Sequence, residues 1–274
     1  MNLEIIKSNI GDNFFCLIAD GEGRAALVDP VDGEQAVERV RRAGYELELL
    51  LNTHFHPDHV SGNPTVLKAF PQATVIAGEA DAEAIDAQFA GDGERGVDET
   101  VTGGDIVELG GISLEVLDTP GHTPGHISFL TDHHLFSGDT IFVGGAGNCR
   151  FGGDPGVLFQ TFRDVLRKLP RSTVFYAGHD YAVRNAEFLL SIEPEHPETL
   201  SVLEEAKRAR DEGRLMQTTL GRERAYNAFM RFDDEELNRA LSSRFADELD
   251  AAREESEGEN EAVFRCLRSL RDKW

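Results

Sequence analysis

Short apolar runs broken by turn residues dominate the first 180 positions, with helical patterns set between them. Residues 2–8, 13–19 and 24–29 read as successive strands, separated by turns at Gly11-Asp12 and Gly21-Glu22-Gly23. Residues 34–43 read as an amphipathic helix closed by Gly44. A strand at 47–52 follows, and helices near 60–69 and 79–89 flank a short strand at 73–77. Further strands are expected near 105–109, 112–117, 126–131 and 134–137, then a helix at 156–168 and a strand at 173–177. Strands in both halves with helices between them predict two sheets packed face to face, with helices outside.

From about residue 181 the pattern changes. Residues 182–192, 198–212, 233–240, 245–255 and 261–271 favour helix and are charged, with a loop over 256–260, and no strand pattern of note recurs. A small helical domain is the natural reading, so the chain divides into 1–180 and 181–274. At 274 residues it can bury a substantial core as one large domain, or one plus a small appendage. No stretch approaches the roughly 18–20 apolar residues that span a bilayer. Met1-Asn2-Leu3-Glu4-Ile5-Ile6-Lys7 alternates like a strand and lacks the basic start and long apolar segment of a signal peptide. A cytoplasmic monomer without a membrane partner is the expectation.

A net charge of −23 argues against nucleic acid and against an anionic membrane surface. The bases are lopsided, with 22 Arg against 5 Lys, which suggests a carboxylate-rich surface suited to high salt. The three cysteines, Cys16, Cys149 and Cys266, are widely spaced and odd in number, so they imply neither a disulfide framework nor a cysteine zinc site. Cys16 and Cys266 sit in apolar patterns and read as core residues.

The chemistry concentrates where strand 47–52 ends. His54-Phe55-His56-Pro57-Asp58-His59 puts three imidazoles and a carboxylate within six residues, the nitrogen and oxygen donors that a divalent metal accepts. One tetrahedral ion cannot easily collect four donors from so short a segment, whereas two ions a few ångströms apart can divide them. A histidine-rich surface turn would leave the sequel unexplained. His122, Asp139 and His179 each follow a glycine just past an apolar run, in Pro120-Gly121-His122, Ser137-Gly138-Asp139-Thr140 and Ala177-Gly178-His179-Asp180. Glycine permits the bend that turns a strand-end side chain into a shared crevice. His126 is expected to face the adjacent strand or support a ligand, and His133, His134 and His196 to be plain surface residues.

His-x-His-x-Asp-His followed by Gly-His, Gly-Asp-Thr and Gly-His resembles the metallo-β-lactamase superfamily. Within it the chain is similar to glyoxalase II, the hydroxyacylglutathione hydrolases. Asp12-Asn13-Phe14-Phe15, Ala26-Leu27-Val28-Asp29-Pro30-Val31, Gly178-His179-Asp180-Tyr181, Tyr226-Asn227-Ala228-Phe229-Met230-Arg231 and Arg268-Ser269-Leu270-Arg271-Asp272-Lys273 carry that likeness nearly end to end. The resemblance implies an α/β fold, a four-layer αββα sandwich with a small C-terminal α-helical domain that binds substrate. It implies two divalent metal ions, zinc first, with iron or manganese accepted by the same donors. His54, His56 and His122 would hold one ion, Asp58, His59 and His179 the other, with Asp139 bridging. Asp58 is also placed to accept the proton of the attacking water. The expected reaction is hydrolysis of S-D-lactoylglutathione or a related thiol ester to D-lactate and free thiol, as in methylglyoxal detoxification.

For the thiol moiety the resemblance points to Tyr181 after the last metal histidine, and to Arg268 and Arg271, three apart on one helix face and able to meet a carboxylate. Cations near a helix C-terminus also suit the dipole without any ligand. The loop Gly145-Ala146-Gly147-Asn148-Cys149-Arg150-Phe151-Gly152-Gly153 departs from the family's Gly-Cys-Gly-Lys/Arg segment. Phe151 keeps the aromatic position without a hydroxyl, and Cys149 stands where a base is expected unless Arg150 replaces it by a one-residue shift. The expected carrier is glutathione or, given this departure, a relative such as γ-glutamylcysteine, which lacks the glycyl carboxylate. Competing readings are a persulfide dioxygenase with a single iron and a non-catalytic metal-binding protein.

Overall fold

The computed structural model describes residues 1–89 and 95–274. The chain divides into two compact units, one of Met1–Thr119, Thr123–Asp139 and Tyr176–His179, the other of Pro120–His122, Thr140–Phe175 and Asp180–Trp274.

In the first unit β1 (Asn2–Lys7), β2 (Phe14–Ala19), β3 (Arg24–Val28), β4 (Glu46–Asn52), β5 (Thr74–Gly78) and β6 (Glu99–Val101) form one sheet in that order. The first three strands are antiparallel, and β3 to β6 run parallel. The switch follows from the connections. Tight turns join β1 to β3, whereas α1 (Gly33–Ala43), the pair α2 (Pro57–Val60) and α3 (Asn63–Ala69), and α4 (Glu79–Phe89) supply the crossovers that parallel pairing needs. A second sheet carries the antiparallel run β7 (Ile106–Leu109), β8 (Ile112–Asp118), β9 (Ile127–Thr131) and β10 (His134–Gly138).

Residue pattern explains the layering. β2 is buried at all six positions, because Phe15, Leu17 and Ala19 join Ala36, Val37 and Val40 of α1 in one apolar cluster while the alternate residues face the other way. Each Leu or Phe so buried contributes ~1.5–3 kcal/mol relative to exposure. In β8 only one face is covered, so buried Ile112, Leu114 and Val116 alternate with exposed Ser113 and Glu115. Asp32 caps α1 by accepting the Gln35 N–H, and Gly44 ends it in the left-handed region at φ 70°. The single helix expected at 60–69 is instead two, since Pro57 and Pro64 each open a first turn and Ser61-Gly62 lies between.

The second unit opens with a two-residue hairpin, β11 (Ile141–Phe142) and β12 (Gly145–Ala146), then α5 (Pro155–Asp164). The α-helix stops at Asp164, short of the expected 168, and a 3-10 turn covers Leu166–Lys168. β13 (Val174–Ala177) pairs at its start with β14 (Thr218–Thr219), which corrects the expectation of no strand beyond 181; two residues are too few to leave an alternating pattern. α6 (Ala182–Ile192), α7 (Pro197–Asp211), α8 (Leu220–Tyr226), α9 (Glu235–Arg244), α10 (Ala246–Glu254) and α11 (Glu259–Lys273) make the rest. Phe264 of α11 packs on Phe159, Phe162 and Phe229 with ring centroids 5.8, 5.1 and 5.2 Å away. That anchor carries Arg268, one turn later, into the interior.

Two histidines expected at the surface have structural jobs. His134 Nδ1 lies 2.7 Å from the Tyr176 hydroxyl, and His196 caps α7 by accepting the Thr199 N–H.

Candidate metal centre

β4 is covered on both faces and delivers Asn52, Thr53 and His54 into the interior, all at most 1 % exposed. Pro57 then starts the single turn of α2, with the His59 N–H bonded to the His56 carbonyl, so that His56, Asp58 and His59 leave the strand end together. Within the first unit Asp58, His59 and His179 offer donor atoms within 4.8 Å of one another. Asp139 joins them: its Oδ1 is 3.4 Å from His59 Nε2 and its Oδ2 3.4 Å from His179 Nε2, which in turn lies 3.2 Å from Asp58 Oδ2. His54 stands beside them, its ring centroid 4.1 Å from that of His59 and 4.8 Å from that of His56.

Glycine lets the elements approach. A Cβ on Gly178 would fall 2.5 Å from His59 Cε1 and 2.6 Å from Asp139 Oδ1, and Gly138 holds φ 47° with its Cβ position 2.3 Å from Thr53 Oγ1.

A ring of carboxylates and hydroxyls outside the donors fixes their orientation. Asp29 Oδ2 accepts from Thr53 Oγ1 at 2.6 Å and pairs with His59 Nδ1 at 3.0 Å, while its Oδ1 accepts the Thr53 N–H at 2.8 Å. Asp12 Oδ1 pairs with His179 Nδ1 at 3.0 Å, and Asn13 donates to the Asp58 carbonyl at 2.9 Å. With Nδ1–H held by carboxylates, Nε2 of His59 and His179, facing Asp139, is the nitrogen a cation would take in place of a proton. His126 lies behind Asp139: its Nε2 accepts the Asp139 N–H at 3.1 Å and its Nδ1 bonds Thr119 Oγ1 at 3.0 Å. Asp81 accepts from Phe55 N, Thr123 Oγ1 and Gly125 N at 3.2, 2.6 and 2.8 Å, tying the histidine segment to the turn before β9. The sequence reading gave Asp12, Asn13, Asp29 and Asp81 no role, although the first three lie in segments that carried the family likeness.

The electrostatics suit a cation. Burial alone would depress the His59 imidazolium, but Asp139 and Asp29 outweigh it and push its pKa up to about 10. His179 rises in the same way, against its burial, through Asp139 and its bonds to Asp12 and Asp58. Burial works against the Asp58 charge as well, yet His179 and His59 hold its carboxyl well below the usual range. Among the described residues the buried His59 Nε2 makes no hydrogen bond of good geometry, and the nearest carboxylate oxygen, Asp139 Oδ1, lies 3.4 Å away. Buried imidazole nitrogens facing carboxylates are the donor set that zinc, iron and manganese take.

In the second unit His122 is buried and its Nδ1 lies 2.6 Å from the Asn148 carbonyl, which makes Nδ1 the protonated nitrogen. The five residues expected to bind the thiol moiety, Arg150, Phe151, Tyr181, Arg268 and Arg271, line one cavity of about 160 Å³, with Arg184, Asn185, Asn148 and Asp272 among its other walls. They are not equivalent. Arg268 is buried and donates to the carbonyls of Ala146 and Gly147 at 2.7 and 3.1 Å and to Asp272 at 2.9 Å, so it braces the loop after β12. Arg150 donates to the Asp272 backbone carbonyl. Tyr181 meets Phe142 edge-on at 5.1 Å.

A metallo-β-lactamase superfamily model matches residues 13–179, and a model of the hydroxyacylglutathione hydrolase C-terminus matches 180–274. The hydroxyacylglutathione hydrolase of Nitrosococcus oceani is 36 % identical over 99 % of this chain and 98 % of its own length, and that of a Polaromonas species is 38 % identical over 98 % of each. Among solved structures, ETHE1 from Myxococcus xanthus superposes with a TM-score of 0.66 at 24 % identity, covering 89 % of this chain and 91 % of that one. TTHA1623 in a di-iron-bound form gives 0.59 at 25 %, covering 82 % and 99 %. The expected fold is thereby shown: an αββα sandwich with a helical C-terminal domain.

Proposed function

The chain belongs to the hydroxyacylglutathione hydrolases of the metallo-β-lactamase superfamily, and we propose on that basis that it hydrolyses S-D-lactoylglutathione, or a close thiol ester, to D-lactate and free thiol. The observation that carries this reading is the convergence of Asp58, His59 and His179 on Asp139, with both imidazoles turned by outer carboxylates. We assign two divalent ions to the chain, zinc first and iron or manganese by the same donors. His54, His56 and His122 would take one, Asp58, His59 and His179 the other, and Asp139 both. When bound, such ions supply a hydroxide nucleophile near neutral pH and polarise the acyl carbonyl.

The chain's own residues do the rest. Asp29 and Asp12 keep the Nδ1–H tautomers of His59 and His179, and Asn13 and His126 hold the backbone at Asp58 and Asp139. Asp58, half exposed and kept ionised, accepts the proton of the attacking water. Residues 1–180 would form the catalytic domain and 181–274 the substrate-binding one, with Tyr181, Arg150, Phe151, Arg268 and Arg271 around the thiol moiety. A cytoplasmic monomer without nucleic-acid or membrane partners fits the charge of −23, and among the described residues no helix is long and apolar enough to cross a membrane.

The ETHE1 likeness is one of fold, and the match of residues 180–274 to the hydrolase C-terminal model favours the hydrolase. Steady-state release of thiol from S-D-lactoylglutathione by metal-loaded protein tests the proposal. Loss on chelation and recovery on adding zinc are expected; a metal-replete protein inert toward it, but consuming oxygen with a thiol persulfide, would replace it with the dioxygenase.

A further inference from the structure

The turn of the β11–β12 hairpin, its second strand and the residue after it are held from outside. Residues 143–147 are buried, three of the five are glycines, and each gives a backbone group to a buried side chain from beyond residue 180. Asn185 donates to the Val143 carbonyl at 3.0 Å, Glu223 accepts the Gly144 N–H at 2.9 Å, and Asn227 donates to the Gly145 carbonyl at 3.1 Å. Arg268 takes the last two, the carbonyls of Ala146 and Gly147, at 2.7 and 3.1 Å. A glycine-rich segment has little conformational preference of its own, so these bonds decide where its end points.

What that end carries is the Asn148 carbonyl, 2.6 Å from His122 Nδ1. A carbonyl oxygen only accepts, so the bond places the ring proton on Nδ1, and a neutral imidazole in that tautomer takes a cation through Nε2. The turn before His122 is seated in the same unit: Thr161 donates to the Pro120 carbonyl at 2.7 Å, and the Asp154 N–H to the Gly121 carbonyl at 2.9 Å. Arg268 lines the thiol cavity, yet its guanidinium is engaged. The residue is 5 % exposed, Nη1 serves both loop carbonyls, Nη2 donates to Asp272 at 2.9 Å, and Cζ lies over the Phe229 ring, 5.4 Å from its centroid.

We propose, resting on the two-ion reading above, that Arg268 is a positioning residue for His122. By gripping two successive carbonyls it sets the peptide that follows them, and so the acceptor that keeps His122 protonated at Nδ1. Helix α11 thereby governs the affinity of the ion assigned to His54, His56 and His122, whereas Asp29 and Asp12 serve the ion assigned to His59 and His179. Lysine would fill this place only in part, because a single ammonium is a point charge without the planar fork that spans both carbonyls and Asp272. Charge alone predicts the opposite sign, since removing a cation from the neighbourhood of a metal site tightens binding.

Zinc titration of the stripped full chain against a chromophoric chelator tests it, in the wild type, Arg268→Gln, Arg268→Lys and Lys273→Gln. Of the two equivalents bound by the wild type, Arg268→Gln should weaken one by about tenfold or more, the scale for losing an outer partner of a ligating histidine, and leave the other unchanged. Arg268→Lys should recover part of the loss, and Lys273→Gln, which removes an exposed charge from the same helix, should weaken neither. Long-range proton–nitrogen correlation spectra of the metal-free protein read the His122 tautomer directly, with His122→Asn identifying the signal. The Nδ1–H form should dominate in the wild type and give way to a mixture in Arg268→Gln. Both equivalents weakened alike, or neither weakened with the tautomer kept, overturns the assignment. A wild type that binds a single zinc refutes the two-ion reading, while the His122 signal still decides the role of Arg268.

Discussion

Asp29→Asn isolates the contribution of the carboxylates behind the metal donors. Asp29 sits at φ 52°, a left-handed conformation that asparagine tolerates, so the backbone is not strained by the change. The carboxamide oxygen can keep the Thr53 N–H, now at 2.8 Å, which leaves the amide nitrogen facing Thr53 Oγ1 and His59 Nδ1, at 2.6 and 3.0 Å. A donor opposite Nδ1 forces the ring proton onto Nε2, the nitrogen offered to the metal. Losing such an outer partner weakens metal binding by about 10–100-fold, which is about 1.4–2.7 kcal/mol. Competition for zinc against a chromophoric chelator reads this directly, with far-UV circular dichroism confirming that the fold is kept. Zinc affinity unchanged in Asp29→Asn would refute the claim that Asp29 sets the His59 tautomer.

Other expectations follow from the same geometry. Asp58→Asn should cut turnover by about 10²-fold or more while elemental analysis still finds its metals; retained metals with full turnover would remove Asp58 as proton acceptor. Gly178→Ala pushes a methyl to 2.5 Å from His59 Cε1, so we expect a loss of about 1–3 kcal/mol in thermal or urea unfolding together with loss of bound metal. Glu223 is fully buried, and burial raises its carboxyl from 4.5 to about 7 against hydrogen bonds from Tyr226, Gly144 and Asn227. The folded state therefore holds a proton that the unfolded state releases, so this stability is present below pH 4.5 and lost as pH rises to about 7. Wild type should lose about 3 kcal/mol more than Glu223→Gln across that window in urea titrations, and parallel curves would show no such linkage.

What the sequence revealed and what it hid divide along physical lines. His54, His56, Asp58 and His59 were legible because four donors crowd one strand end, and His122, Asp139 and His179 because each follows a glycine after an apolar run. Asp12, Asp29 and Asp81 act through hydrogen bonds to residues 24 to 167 positions away, and nothing local marks an aspartate after a strand as a partner for a distant imidazole. Val-Asp-Pro at the end of β3 was the available signal, since an ionisable group closing a buried strand needs a partner. The hairpin of β11 and β12 and the two residues of β14 are too short to leave a period-two pattern, and the helix expected at 60–69 is interrupted at Ser61-Gly62, with Pro64 in the first turn of the helix that follows.

The central claim is a paired-cation centre, and metal titration of the stripped protein tests it most directly. Thioesterase activity and tightly bound zinc should rise together and level off at two equivalents per chain. Saturation of both at one equivalent, in protein that is fully folded and active, would contradict the account.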